Sequence, residues 1–395
     1  MAPMAGAVSF DPYDWSVHED PYPTYRRLRD EAPCYRNEAI GFFALSRHAD
    51  VLAAFLDPET FSSREGVALE SVGDASAVMS FLAMDPPRQT RLRALVSRGF
   101  TPRRVRELEG PVRKLAGTYL DRMTDASEPD LIADFAGRLP MDVVSEMLGV
   151  PPEDRDALRR WADEVVHRDE GEHAVPATAV AASLHLLAYF NEHVAAARRR
   201  EGDDLTHGLI AAEIDGDRLQ DRDIVAFLFL MIIAGNETTT KLLGNALVHL
   251  ARHPDQRERV LADPGLVPGW VEETLRYDAS SQLIARVATR DVALHGRTIP
   301  AGSKVALLIG SANRDERAFD APDRYDVGRD CKDSLAFGRG VHFCLGAALA
   351  RLEARISLEE ILARAPRYEI DEPGLVRIHS GNVRGFATIP IALTP

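Results

Sequence analysis

Phe337-Gly338-Arg339-Gly340-Val341-His342-Phe343-Cys344-Leu345-Gly346 sets one cysteine between a glycine-punctuated loop and the start of a helix. The helix running on through Ala347, Leu349 and Arg351 directs its positive end at the Cys344 sulfur, which predicts a depressed thiol pKa and a metal-binding thiolate. Gly338 and Gly340 permit backbone conformations closed to residues with a side chain. Gly346 leaves room for a flat group to approach the helix, and Phe337 is placed to keep water off the sulfur. A buried structural cysteine after a tight turn fits the same ten residues, and so does half of a zinc site. Zinc is the weaker of the two, because Cys34, Cys331 and Cys344 are the only cysteines and none forms a Cys-x-x-Cys pair. Residues elsewhere in the chain must decide.

No Gly/Ser-rich or Pro-rich linker divides the 395 residues, so a single domain spanning 1–395 is expected, a large body with a small lobe. With 45% hydrophobic and 27% charged residues the chain can bury a sizeable core. The formal charge of −14 argues against nucleic acid or an anionic membrane as the main partner. The longest apolar run, Ile224 to Ala234, falls short of the roughly 20 residues a bilayer span needs. Met1 to Phe10 shows no basic start followed by an apolar stretch, and three cysteines predict no disulfide framework. A cytoplasmic protein without a membrane anchor is expected. Within this acidic chain the segment Arg88 to Lys114 goes the other way, its basic residues facing only Glu107 and Glu109. It reads equally as a solvated face and as a dock for an acidic partner.

Apolar periodicity predicts helices over Tyr22 to Asp30, His48 to Leu56, Pro86 to Val96, Arg103 to Thr124, Met141 to Leu148, Glu153 to Val166 and Ala177 to Arg200. Further helices are predicted over Asp221 to Arg252, Pro254 to Ala262, Pro268 to Arg276 and Leu345 to Ala365. Short strands are expected near Cys34 to Leu45, Ala285 to Leu294, Thr298 to Ile299, Lys304 to Ile309, Arg367 to Ile370 and Phe386 to Ala392. The sum is a mostly α fold with a minor β lobe.

The helix from Asp221, a candidate N-cap, to Arg252 would run about 48 Å, long enough to cross the molecule. Ile224 to Ala234 is apolar almost all round, as a buried helix is. Then Ala234-Gly235-Asn236-Glu237-Thr238-Thr239-Thr240 breaks several local rules. Gly235 costs about 1 kcal/mol in a helix interior, the threonines are indifferent helix formers, and a carboxylate at this depth needs a reason. Thr238 can return its hydroxyl to the Ala234 carbonyl four residues back, which predicts a local bulge and a groove for a small molecule. A polar helix end is the plainer reading, but helical runs on both sides argue against an end here. Glu273-Thr274-Leu275-Arg276 adds opposite charges three apart on one helix face, worth only about 0.2–0.5 kcal/mol if exposed.

Taken in order, these segments resemble the cytochrome P450 family, in its soluble bacterial form. Residues 337–346 resemble its haem-binding loop, 234–238 its long-helix signature Ala/Gly-Gly-x-Asp/Glu-Thr, and 273–276 its Glu-x-x-Arg pair. Met84 to Arg93 resembles its Asp-Pro-Pro-x-His-x-x-x-Arg stretch, and Ala312-Asn313-Arg314-Asp315 its Ala-Asn-Arg-Asp segment. The resemblance covers nearly the whole chain and implies that family's fold, with haem b held between the long helix and the Cys344 helix. It implies Cys344 as the axial thiolate on iron, which favours O–O cleavage. Glu237 and Thr238, with Ala234 and Gly235, become the element that delivers protons, Thr238 as a hydrogen-bond donor toward the haem. Glu273, Arg276 and Arg329 become a buried triad holding the cofactor loop, any member of which is costly to lose. Arg93, Arg286, His342 and Gln89 become partners for the haem propionates, with Gln89 where many members have histidine. The chain departs from the pattern at Asp278-Ala279-Ser280-Ser281, where the family often has proline, and at Ser334, where histidine is common.

The implied activity is a monooxygenase inserting one oxygen atom of O2 into a C–H bond of a small, largely apolar substrate. The chain carries no flavin or nicotinamide fingerprint, so electrons are expected from a separate ferredoxin or flavodoxin-type donor with its reductase. The Arg88 to Lys114 segment would be its dock. By position in the family, the Arg64 to Met84 loop and Leu82, Ser281, Leu283 and Val383 should line the substrate pocket, with Asn236, Gln282 and Asn382 orienting a polar group. A monomer is expected. Rival readings are peroxide-driven oxidation, oxidative coupling, a non-catalytic haem sensor or carrier, and a helical scaffold without haem. An intact acid–alcohol pair speaks against the first two and would have no task in a sensor or carrier, while a reduced, carbon-monoxide-treated spectrum separates the scaffold.

Overall fold

The computed structural model describes residues 8–70, 73–214 and 216–393, without the side chains of Arg98, Pro102, Ile214 and Asp217. Met1 to Ala7 of the N-terminal stretch read above, Ser71 and Val72 of the 64–84 loop, and the Arg98 side chain of the basic segment therefore lie outside the described residues. The principal helices are α1 (Tyr22–Glu31), α2 (His48–Leu56), α3 (Arg88–Ser97), α4 (Glu109–Thr124), α5 (Leu139–Leu148) and α6 (Arg155–Val166). They continue with α7 (Ala177–Ala197), α8 (Asp221–Arg252), α9 (Pro254–Ala262), α10 (Val267–Tyr277) and α11 (Ala347–Arg364). The β lobe is a five-stranded sheet of β1 (Cys34–Asn37), β2 (Phe42–Leu45), β3 (Phe61–Ser62), β4 (Leu283–Ala288) and β5 (Lys304–Leu308), in the order β1-β2-β5-β4-β3. Only β2 and β5 run parallel, with Phe42 opposite Lys304. Phe10, Tyr25 and Leu28 cover one face of this sheet, and Val51, Phe55 and Leu335 the other. Burial on both faces is why β2 and β5 read as near-continuous apolar runs rather than alternating ones.

Helix α8 organises the rest. Its first half packs Ile224, Phe227, Leu228 and Ile232 among Leu148, Leu186, Phe190 and Val194 from α5 and α7. Its second half packs Leu243, Leu247 and Leu250 among Leu120, Trp270 and Ile356 from α4, α10 and α11. It is the one described helix long and apolar enough to cross a membrane, but 67% of its most apolar stretch is buried inside the body. The cap is Gln220, not Asp221: the Gln220 side chain and Asp223 exchange hydrogen bonds with each other's backbone. Asp221, one residue inside, is left to pair with Arg198. The expected bulge is also absent, because α8 stays α-helical throughout. Thr238 does return its hydroxyl to the Ala234 carbonyl, at 2.8 Å. The helix is held closed around it by Thr240 on the Ala136 carbonyl at 3.0 Å and by the Glu237–Lys241 pair one turn on. Gly235 serves close packing, since a Cβ there would stand 3.0 Å from Val144 Cγ2 of α5.

Other boundaries shift for local reasons. The helix expected over Arg103 to Thr124 breaks into Pro102–Glu107 and α4, because Pro111 has no N–H to return to the carbonyl of Glu107. The strand expected from Ala285 to Leu294 divides into β4 and Val292–Leu294. The short helix Leu205–Ala211, the π turn Ile132–Ala136 and the strand Val376–Arg377 carry no periodic signal and go unforeseen.

Asp278, the residue standing where the family often has proline, caps α10 and turns away from the cavity described below into a buried ion cluster. Tyr22 Oη at 2.7 Å and Arg384 Nε at 2.8 Å share its Oδ1, while His249 Nε2 lies 2.9 Å from Oδ2. Arg384 also donates to the carbonyls of His18 and Glu19. Arg314 is stacked between the rings of Tyr22 and Tyr277, 3.6 Å from each centroid. The cluster joins the N-terminal segment, α8, α10 and the C-terminal strands at one point. Burial alone would raise the Asp278 carboxyl, but Arg384, His249 and Arg377 hold it well below the usual carboxylate range. Its contribution is therefore full at neutral pH and lost only as the pH falls below its ordinary value of 3.8. Asp278→Ala should lower the unfolding free energy by about 3–5 kcal/mol at neutral pH, since it strands Arg384 and Arg377. Chemical denaturation checks this, and the gap to wild type should narrow at strongly acid pH.

Candidate active site

The loop before α11 is built by backbone bonds that need its glycines. Gly338 donates to the Leu335 carbonyl at 2.8 Å and Cys344 to the Phe337 carbonyl at 2.9 Å, while the Leu335 N–H is held by Asn313 Oδ1 at 2.7 Å. Gly338 and Gly340 have φ of +67° and +69°, and a Cβ on Gly340 would stand 2.8 Å from the Phe55 carbonyl oxygen. Ser334 accepts from the Ala336 N–H at 3.4 Å, a short local bond in place of a histidine ring. Cys344 meets the N–H groups of Gly346 and Ala347 and lies near Arg93 and Arg351, yet burial outweighs them and raises its thiol. With no cation on the sulfur the expected depression is not seen: the helix-end donors are present, but desolvation outweighs them. A thiolate here calls for a cation directly on the sulfur.

Glu273 anchors this loop from below. Arg276 grips it with two bonds of 2.7 and 2.8 Å, both side chains being fully buried. Arg329 Nε approaches at 3.3 Å, the Asp326 N–H at 2.9 Å and the Cys331 thiol at 3.4 Å. Arg276 and Arg329 then spend their remaining donors on the carbonyls of Asn313, Asp320, Ala321 and Pro322. The three charges lock the two segments that lead to the cysteine loop.

Between Cys344 and α8 lies a cavity with about 1310 Å3 free of protein atoms. Phe337, Gly338, His342, Cys344 and Gly346 form one wall, and Ala234, Gly235 and Thr238 the facing one. A planar dianionic group with a soft-ligand metal fits what this wall offers. At Gly346 an added Cβ would meet no protein atom within 4 Å, so the space over it is free for a flat ring. At the edge, Arg286 is fully buried and donates only to the neighbouring Ala285 carbonyl at 2.8 Å, and burial lowers its pKa to about 10. Arg93 donates to the Phe343 carbonyl at 2.6 Å. Neither ring nitrogen of His342 reaches hydrogen-bond geometry with a protein atom, the Met84 backbone only approaching it, and burial with Arg286 nearby lowers it to about 4. Two under-partnered cations and an unpartnered imidazole at one edge are what carboxylates of a cofactor would satisfy.

Other expected residues fall elsewhere. Gln89 is fully buried outside the cavity and donates to the Val341 carbonyl at 2.8 Å, bracing the loop beside His342. Glu237 occupies the opposite face of α8, only 2% exposed, with Lys241 Nζ 3.4 Å away. Asn236 lies on that face too, donating to Glu237 Oε1 at 3.1 Å, and so cannot orient anything in the cavity. Of the remaining pocket residues, Leu82 and Ser281 line the cavity. Gln282, Leu283 and Val383 face a small separate pocket with Phe10 and Tyr25, and Asn382 another near Tyr13. Leu283 opens β4 and Gln282 precedes it, while the segment carrying Asn382 and Val383 is bridged to Ser281 and takes the Gln282 N–H on the Asn382 carbonyl at 2.8 Å; the Gln282 amide donates to the Ala279 carbonyl, also at 2.8 Å. The cavity is further walled by Phe81, from the expected 64–84 loop, and by Phe227, Leu230, Met231 and Ile284. The apolar run of α8 named three of these, Phe227, Leu230 and Met231, as buried without saying toward what. Thr238 gives its proton to Ala234, so toward the cavity it presents lone pairs rather than the donor first expected.

A family model described as "Cytochrome P450" matches residues 176–263 and 265–372. A Mycobacterium tuberculosis protein named "Putative cytochrome P450 123" is 55% identical over 388 residues, 97% of this chain and 96% of that one. The chain belongs to the cytochrome P450 family. Another relative, named vitamin D(3) 25-hydroxylase, from Pseudonocardia autotrophica, is 38% identical over 99% of this chain and 98% of its own length. The solved structure of CYP109E1 from Bacillus megaterium in complex with testosterone aligns with a TM-score of 0.89 at 31% identity, over 96% of this P450 and 99% of that one. The protein is therefore a haem b monooxygenase of the P450 fold, and the cavity between α8 and α11 is where the family carries its haem. Among its residues, Cys344 would hold the iron and Arg93, Arg286 and His342 the propionates. Glu273→Ala should cost about 3–5 kcal/mol and release bound haem, because it leaves Arg276 and Arg329 buried without their counter-charge. Thermal unfolding followed by haem absorbance checks both.

Proposed function

We propose that this P450 inserts one oxygen atom of O2 into a C–H bond of a neutral, largely apolar small molecule. The carrying observation is the cavity itself, with the Cys344 thiol on one wall, the Thr238 hydroxyl on the other, and Phe81, Leu82, Phe227, Leu230, Met231 and Ile284 around the space between. Bound haem supplies the oxidising chemistry. The chain supplies the thiolate, an acceptor hydroxyl and a chamber that excludes water. Ser280 and Ser281 are the neutral polar groups on the substrate side, while the lining cations Arg93 and Arg286 gather at the His342 edge. That distribution favours a neutral lipid over a carboxylate-bearing substrate. Relatives named for vitamin D(3) hydroxylation and solved with testosterone support the same class.

Electrons come, in this reading, from a ferredoxin or flavodoxin-type protein docking on the basic segment. Arg113 pairs with Glu359 and Glu360 of α11 at 2.7 Å each, which sets that segment and the cysteine helix on a common face. The patch is smaller than its sequence suggests, since Arg93 turns inward and Arg103 pairs with Glu107 at 2.9 Å, leaving Arg104 and Arg106 exposed nearby. A monomer in the reducing cytosol, with Cys34, Cys331 and Cys344 as free thiols, completes the picture.

Cys344→Ser should abolish the carbon-monoxide difference band that gives the family its number. Thr238→Ala should keep that band and continue to consume reductant, while product formation drops on the order of 100-fold, the lower end for a lost proton-transfer group. Product and reductant counted in one assay check the second variant, and unaltered coupling would remove Thr238 from the reaction.

A further inference from the structure

The face of α8 turned away from Cys344 borders a second cleft, with about 1760 Å3 free of protein atoms between α6, the Ile132–Ala136 turn and the strand Val376–Arg377. Glu237 lies at its floor and Asp163, on α6, at its rim. Glu237 is buried with both oxygens engaged, Oε1 by Asn236 and Oε2 by Lys241. Asp163 is open to the cleft and hydrogen-bonded to Glu237. Two carboxyl groups can share a hydrogen bond only when one of them carries the proton. Burial acts to raise Glu237, but Lys241 and the bond from Asp163 hold it below the usual carboxylate range, so it is the ionised partner. Asp163, crowded by surrounding protein although its surface reaches the cleft, and facing Glu237, is pushed up to about 8 and is protonated at neutral pH. The other titratable groups around the cleft are Lys241 from α8, Arg159, Arg160 and Glu164 from its own helix with His167 capping that helix, and Arg138, Arg377 and His379 from the elements packed against it.

We propose that Asp163 is the outer member of a shared-proton carboxyl pair and loads, from water in the cleft, the proton that Glu237 passes toward Thr238. In the inward step the O–H bond on Asp163 breaks and one forms on Glu237. When Glu237 releases that proton toward Thr238, the next residue in sequence on the other face of α8, the Asp163 carboxylate takes a replacement from cleft water, and the pair returns to a single negative charge balanced by Lys241. No electron moves. Asp163 touches neither substrate nor haem and acts only through Glu237. The relay task rests on the monooxygenase reading, whereas the pair itself does not.

Infrared difference spectra of the whole protein across a pH titration should show a protonated-carboxyl band that disappears as the pH rises past about 8. Asp163→Asn should remove this titrating band, and Glu237→Gln should move its loss to lower pH, because the negative neighbour that favours the proton is gone. In the haem-loaded enzyme, Asp163→Asn should keep the carbon-monoxide band and lose the alkaline limb of the coupling–pH profile. A titration unchanged in Asp163→Asn, with a normal carbon-monoxide band, overturns this inference alone. A wild-type protein lacking the carbon-monoxide band overturns the monooxygenase reading and the relay task with it.

Discussion

The site depends on the charge of Glu273. A carboxylate with no solvent contact is tolerable only because Arg276 and Arg329 meet it from two directions and the Asp326 N–H and Cys331 thiol take the rest of its capacity. That concentration of partners spreads outward through the arginines, whose other donors pin the carbonyls of Asn313 and residues 320–322. Asn313 in turn fixes Leu335, and Leu335 fixes Gly338. The cysteine's position thus traces back to one buried ion cluster some seventy residues earlier in sequence, and the glycines only make the last turn possible.

Helix α8 separates two chemistries by its own thickness. One face presents Ala234, Gly235 and Thr238 to a dry, apolar chamber, and the other presents Glu237, Thr240 and Lys241 to a wet, charged cleft. Consecutive residues at about 100° spacing make this possible with no break in the helix. The seven residues that looked like an irregularity in sequence are regular in structure, and their unusual composition reflects having to serve both compartments and the close approach of Val144.

Much of the framework was legible because it rests on local signals. The bounds of α2, α8 and α9 coincide with those read from periodicity, and the Thr238 hydroxyl goes where an i to i−4 bond would take it. What was not legible depends on which way a side chain faces after packing. Gln282 and Leu283 follow the cavity residue Ser281 directly in sequence, and Val383 is bridged to it, yet all three line a separate pocket with Phe10 and Tyr25. Asn236 and Gln89 spend their amides on the protein itself. Asp163 gave no signal, being one charged residue on an amphipathic helix, and it gains a role only because α6 packs against α8. At Cys344 the helix-end donors can be read from sequence, whereas the desolvation that outweighs them while no cation sits on the sulfur cannot.

Gly346 separates folding from loading. No protein neighbour would object to a methyl group there, and its backbone angles suit any residue. The demand for glycine at this position thus comes from the prosthetic group and not from the polypeptide. A side chain at 346 would leave the polypeptide's own contacts intact while obstructing the ring, giving a chain that folds yet stays colourless and lacks the stability a bound cofactor adds. A defect of that kind arises at pigment uptake and not at chain folding, and an assay of colour separates the two.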